Sequence, residues 1–81
     1  MKKIKDSSSE KSMALVNKAD KKFKKGKYEE AEKLYASALE TNPDNMEAYS
    51  SLALTYKMLG DKNGSEEYYQ KCIDTVVKCN E

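Results

Sequence analysis

The chain has 81 residues, with 15 Lys+Arg against 14 Asp+Glu and a formal net charge of +1. That leaves room for one small domain and no general attraction to nucleic acid or an acidic membrane. With no His and two cysteines, Cys72 and Cys79, there is no ligand set for zinc, and neither a metal nor a cofactor is expected.

On a helix, the seven-residue spacing of the cysteines is about 10 Å of rise, too long for a disulfide between them. Cys72 reads as a small core residue and Cys79 as inert. The apolar runs are triplets such as Ala14-Leu15-Val16 and Leu52-Ala53-Leu54, far short of a membrane span. The opening MKKIKDSSSEKS has no apolar stretch of the secretory kind, and Asp6 and Glu10 argue against a transit peptide. The cytoplasm is the expected compartment, with the nucleus as the alternative.

Residues 1–11 carry no helical periodicity and are expected to be a disordered leader. From residue 12 the pattern changes. Leu15, Ala19 and Phe23 recur every four residues beside Val16, which predicts a helix with one apolar face. Gly26 is placed to end it in the left-handed conformation. A second helix is predicted from Tyr28, with Glu29 and Glu30 in the first turn, where acidic side chains suit the helix dipole. Its packing stripe is Ala31, Leu34, Tyr35, Ala38 and Leu39, and Asn42-Pro43 closes it. Asp44 or Asn45 then caps a third helix bearing Tyr49, Leu52, Ala53 and Tyr56 and ending at Gly60. Residues 61–64 are expected to form a turn, with Ser65 as the cap of a last helix. That helix carries Tyr69, Cys72, Ile73, Val76 and Val77 in helical spacing and runs to about residue 79.

Sliding the chain along itself by 34 residues aligns 12–45 with 46–79 without a gap, with six identities: Ala14/Ala48, Ala19/Ala53, Gly26/Gly60, Glu32/Glu66, Tyr35/Tyr69 and Thr41/Thr75. The shared positions are mainly those where helix packing and the turn restrict size. Two repeats, 12–45 and 46–79, follow, with 80–81 as a tail. The predicted fold is all-α: two antiparallel helical hairpins, four helices in all.

A 34-residue helix–turn–helix with Leu15, Ala19, Phe23, Gly26, Tyr28, Ala31, Tyr35, Ala38 and Pro43, repeated as Tyr49, Leu52, Ala53, Tyr56, Gly60, Tyr69 and Cys72, resembles the tetratricopeptide repeat (TPR). The microtubule-interacting-and-transport bundle begins with a similar ALVNKADKKFKKGKYEEAEKLY run, but it does not account for the second series at the same offset. The resemblance implies a short right-handed solenoid, no enzymatic activity, and a protein or peptide partner held in a concave groove. It places Met13, Val16, Asn17, Asp20, Phe23 and Lys24 in that groove, together with Glu47, Ser50, Ser51, Leu54, Lys57 and Met58 from the second hairpin, although Val16 and Phe23 read equally as residues that complete the core. One known use of the family, clamping the C-terminal carboxylate of heat-shock chaperones, needs cations and an asparagine where this chain has Val16 and Asp20. Asp20 would repel a carboxylate.

Two further surfaces stand out. Lys18, Lys21, Lys22 and Lys25 form a basic stripe at i, i+3, i+4 and i+7, read as a solvated outer face that marks the N-terminal end of the stack. No glycine-rich phosphate loop or exposed aromatic series accompanies it, so nucleic acid is not an expected partner. At the other end Val76 and Val77, or else Tyr68 and Ile73, are expected to lie uncovered and to favour a homodimer or stacking in a larger scaffold, with Val76 and Val77 as the self-association pair. No His and no Ser beside a plausible base offers a catalytic group, so the chain reads as an adaptor or co-chaperone-like scaffold and not an enzyme.

Overall fold

The computed structural model describes residues 6–79. They form four helices: α1 (Asp6–Lys24), α2 (Tyr28–Thr41), α3 (Met46–Met58) and α4 (Lys62–Cys79). α1 packs on α2, α3 on α4, and α2 on α3. The α2–α3 contact joins two hairpins into one stack.

The internal repeat is visible in how the helices end. α1 closes with Lys27 N–H donating to Lys22 C=O at 2.9 Å, and α3 closes with Asp61 N–H donating to Tyr56 C=O at 2.8 Å. Between each pair lies a glycine with positive φ, Gly26 at 80° and Gly60 at 86°. This is the Schellman closure, in which a left-handed glycine lets the chain satisfy carbonyls that the helix leaves open. Gly64 answers a different need. A Cβ there would stand 2.8 Å from the Asp61 carboxylate and 3.1 Å from the Tyr56 ring.

The core is built from Val16, Ala19, Ala31, Tyr35, Ala38, Ala48 and Leu52, all buried. Alanine at four of these positions lets the helix backbones approach closely. Leu15, Phe23, Leu34, Leu39, Tyr56 and Tyr68 pack around them. Aromatic side chains bind the second hairpin together: Tyr56 stacks on Tyr68 at 5.4 Å, and its hydroxyl donates to Glu32 of α2 at 2.7 Å.

The beginnings of two helices differ from the expectation. α1 starts at Asp6, so 6–11 is helix and not leader; the expectation for 1–5 lies outside the described residues. The reason is tertiary. Ser12 is fully buried; its hydroxyl donates to Ala38 C=O at 2.7 Å and accepts from Asn45 Nδ2 at 2.7 Å. Asn42 Nδ2 reaches Ser9 Oγ at 3.4 Å. The α2–α3 turn thus holds the first turns of α1, although their own sequence is too polar to show a packing face.

α4 begins at Lys62, with Asp61 accepting from Gly64 N–H at 2.9 Å. Asp61 is therefore the cap, and Ser65 is a buried residue of the helix, in the place that Ala31 holds one repeat earlier. Of the two candidate caps for α3, Asn45 fills the role by accepting from Ala48 N–H at 3.1 Å.

Candidate protein-binding groove

Met13, Asn17, Asp20 and Lys24 recur at helical spacing along α1, and Glu47, Ser50, Ser51, Leu54, Lys57 and Met58 do so along α3. Tyr35 ties the two stripes together. Its ring is buried in the core, while its hydroxyl donates to the Asp20 carboxylate and also interacts with Ser51. Burial holds the Tyr35 phenol well above its ordinary range, followed by the hydrogen bond and charge of Asp20, with Glu47 adding to the effect. One α2 side chain therefore fixes a carboxylate from α1 close to Ser51 of α3.

Apolar side chains lie on both sides of that polar point. Met13 and Leu54 are each 39% exposed and Met58 is 49% exposed. Asn17, Lys24, Glu47 and Lys57 are exposed, whereas Ser50 and Ser51 are half-buried. Charge changes along the stripe, with Asp20 and Glu47 followed toward the helix C-termini by Lys24 and Lys57. Among the described residues neither Asp20 nor Glu47 is paired with a cation.

Val16 and Phe23 take the core reading open to them and not the groove one. Val16 is fully buried and belongs to the core cluster. Phe23 is half-buried and sets its ring edge-on to Tyr28 at 5.0 Å, holding the α1–α2 corner. Conversely, Tyr35 reads in sequence as part of the α2 packing stripe. Its ring obeys that pattern; only the length of a tyrosine hints that the hydroxyl emerges on the far side of the core.

In the basic stripe Lys18, Lys21 and Lys25 are exposed, but Lys22 is half-buried and pairs with Glu30 of α2 at 3.1 Å. That contact draws it out of the free stripe, and Lys22 holds Glu30 below the usual carboxylate range. On α4, Ile73 and Val77 are 55% and 54% exposed, and Val76 and Tyr69 also face outward. Of the two alternative pairs, Val76 and Val77 are both open, whereas Tyr68 is covered, with Tyr56 and Tyr49 against its ring and Lys71 Nζ 5.0 Å from its centroid. Cys72 is half-buried, with its sulfur 3.6 Å from Met46 C=O.

A family profile described as TPR repeat matches residues 19–60, and one described as tetratricopeptide repeat matches 46–78. The chain belongs to the tetratricopeptide repeat family. This TPR chain is 40% identical over 52 residues to Hsp70-Hsp90 organizing protein 3 of Arabidopsis thaliana, covering 64% of the chain and 9% of that protein. It is 39% identical over 57 residues to Hsp70-Hsp90 organizing protein 1 of Glycine max, covering 70% and 10% respectively. It is 35% identical over 57 residues to tetratricopeptide repeat protein 7A of Homo sapiens, covering 70% and 7%. The chain therefore spans a tenth or less of the curated relatives it matches. TPR membership makes it a protein–protein interaction module, and no described helix is long and apolar enough to cross a membrane.

Proposed function

We propose that this module captures a short segment of a partner protein along the α1–α3 stripe, acting as an adaptor in the cytoplasm. The observation that carries the reading is the Tyr35 hydroxyl, which fixes Asp20 beside Ser51 between exposed Met13, Leu54 and Met58. A polar point held by a core side chain costs little entropy on binding, and flanking apolar side chains supply anchors.

The plant relatives are named for organizing Hsp70 and Hsp90, which supports a co-chaperone-like role. A C-terminal carboxylate is nevertheless a poor ligand here, because it would meet Asp20 and Glu47. The charge order suits a segment with a basic or neutral group beside Asp20 and an acidic one near Lys24 and Lys57. Two hairpins offer a short stripe, so affinity is modest.

Selection from a displayed random peptide library tests this. Peptides that bind the native chain should lose tenfold or more in affinity for the Leu54→Ser/Met58→Ser chain while its circular dichroism is unchanged. Equal affinity for the folded double variant would sink the groove reading.

The exposed α4 side chains favour a second reading, in which the chain is an assembly element. Sedimentation of the native chain should then depend on concentration, and Val76→Ser/Val77→Ser should remove that dependence.

A further inference from the structure

An exposed pair of residues at the start of α4 carries a chemistry that the binding surfaces do not use. Asn63 is exposed and is followed by Gly64. The other asparagines, Asn17, Asn42, Asn45 and Asn80, are followed by Lys, Pro, Met and Glu. A glycine has no side chain to keep its backbone nitrogen away from the preceding amide, so Asn-Gly is the pair most open to attack of that nitrogen on the asparagine side chain. Packing of the second hairpin nevertheless requires the glycine. A Cβ at Gly64 would meet the Asp61 carboxylate at 2.8 Å and the Tyr56 ring at 3.1 Å.

The attack closes a ring, which requires ψ of Asn63 to leave the helical range and the Gly64 N–H to be free. In the folded chain both residues belong to α4, and the Gly64 N–H donates to Asp61 Oδ1 at 2.9 Å. The next N–H, that of Ser65, donates to Asp61 C=O at 3.0 Å. Asp61 thus supplies both acceptors that hold the first turn of α4 shut. We propose that Asn63 is a site of spontaneous deamidation, gated by opening of this turn, with Asp61 as the latch. The Gly64 nitrogen gives its proton to a base and bonds to Asn63 Cγ; the Cγ–Nδ2 bond breaks and ammonia leaves. Water then opens the cyclic imide, and nothing is oxidised or reduced. Opening at Cγ leaves an aspartate at position 63. Opening at the main-chain carbonyl leaves an isoaspartate, with the backbone now running through the side chain.

The two products act in opposite directions. α4 has no acidic residue in its first turn, whereas α2 has Glu29 at the matching position. An aspartate supplies the carboxylate that the helix dipole favours there. An isoaspartate instead inserts a methylene into the backbone before Gly64, so the N–H groups of Gly64 and Ser65 no longer both meet Asp61. Ser65 is buried against the hairpin, and opening this turn loosens the α3–α4 contact.

The test is to age the full chain in mildly alkaline buffer and map its peptides by mass spectrometry that separates aspartate from isoaspartate. The mass gain of NH2 replaced by OH should gather at position 63, leaving Asn17 and Asn45 intact. Asp61→Ala should speed the reaction about fivefold, the rise in the open turn expected for a lost cap. Asp61→Asn keeps an acceptor and should react at close to the native rate. The purified isoaspartate form should melt below the fresh chain, and the aspartate form should not. An Asn63 that stays intact in the folded chain while reacting in guanidinium chloride would overturn the proposal. Equal rates for the native and Asp61→Ala chains would overturn the latch.

Discussion

α2 and α4 occupy the same place in their repeats and share Glu, Tyr and Thr at matching positions, yet they live in different surroundings. α2 is covered by α1 on one side and α3 on the other, whereas α4 packs on α3. Tyr35 is consequently 2% exposed and its repeat partner Tyr69 is 41% exposed. The residue does not decide its burial; the neighbouring helix does. The repeat thus tells which side chains can form an interface, and the stacking order tells which of them already have.

The largest effect that could break this comparison is a paired truncation. Tyr35→Ala should cost about 3–5 kcal/mol, the range for emptying a buried aromatic site. Tyr69→Ala should cost about 1 kcal/mol or less, because much of its ring is already in water and alanine favours the helix. Urea denaturation of the two variants decides it, and equal losses would refute the asymmetry.

The helix caps give the next contrast. Asn45 caps α3 and also donates to buried Ser12, so Asn45→Ala should cost about 2–3 kcal/mol. Asp61 caps α4 at an exposed corner, and Asp61→Ala should cost about 1 kcal/mol. Thermal melts of both variants make the comparison.

Alkaline pH sharpens it further. Tyr35 and Tyr56 are both held above their ordinary value of 10.0, by burial first and then by hydrogen bonds to Asp20 and Glu32. Above pH 10 the unfolded chain releases these protons and the folded chain retains them. Stability should therefore be level below pH 10 and fall as pH climbs past it. A Tyr35→Phe/Tyr56→Phe chain should show a shallower fall in a denaturation series run across that range.

The smallest expected effect is at the exposed Lys22–Glu30 pair. Glu30 is held below its ordinary 4.5, so its contribution is present above that value and fades as pH drops toward the lowered one. Glu30→Gln should barely change the acid limb of the same series.

Much of the fold is legible because small residues and glycines mark helix contacts and ends. Ala31, Ala38, Gly26 and Gly60 behave as their spacing predicts. The first turns of α1 were not legible, since Ser9 and Ser12 are fixed by hydrogen bonds from the distant α2–α3 turn and by no apolar pattern of their own. Ser65 misled in the opposite sense: a serine just after a glycine resembles a cap, but Asp61 reaches the open N–H first and frees Ser65 to fill a small packing position. Of the candidate groove, the stripe positions follow from helical spacing. Val16 left it because a wheel cannot say which edge of a stripe turns under the neighbouring helix. Tyr35 entered because its ring and its hydroxyl serve different surfaces.

The most direct test of the central proposal is chemical-shift mapping of a library-selected peptide on the labelled full chain. The groove account predicts the largest shifts at Asn17, Asp20, Ser51 and Leu54, with Tyr35→Phe weakening the peptide while the fold persists. Shifts gathered instead on Leu34, Leu39 and Tyr68, with Asp20 and Ser51 undisturbed, would contradict it.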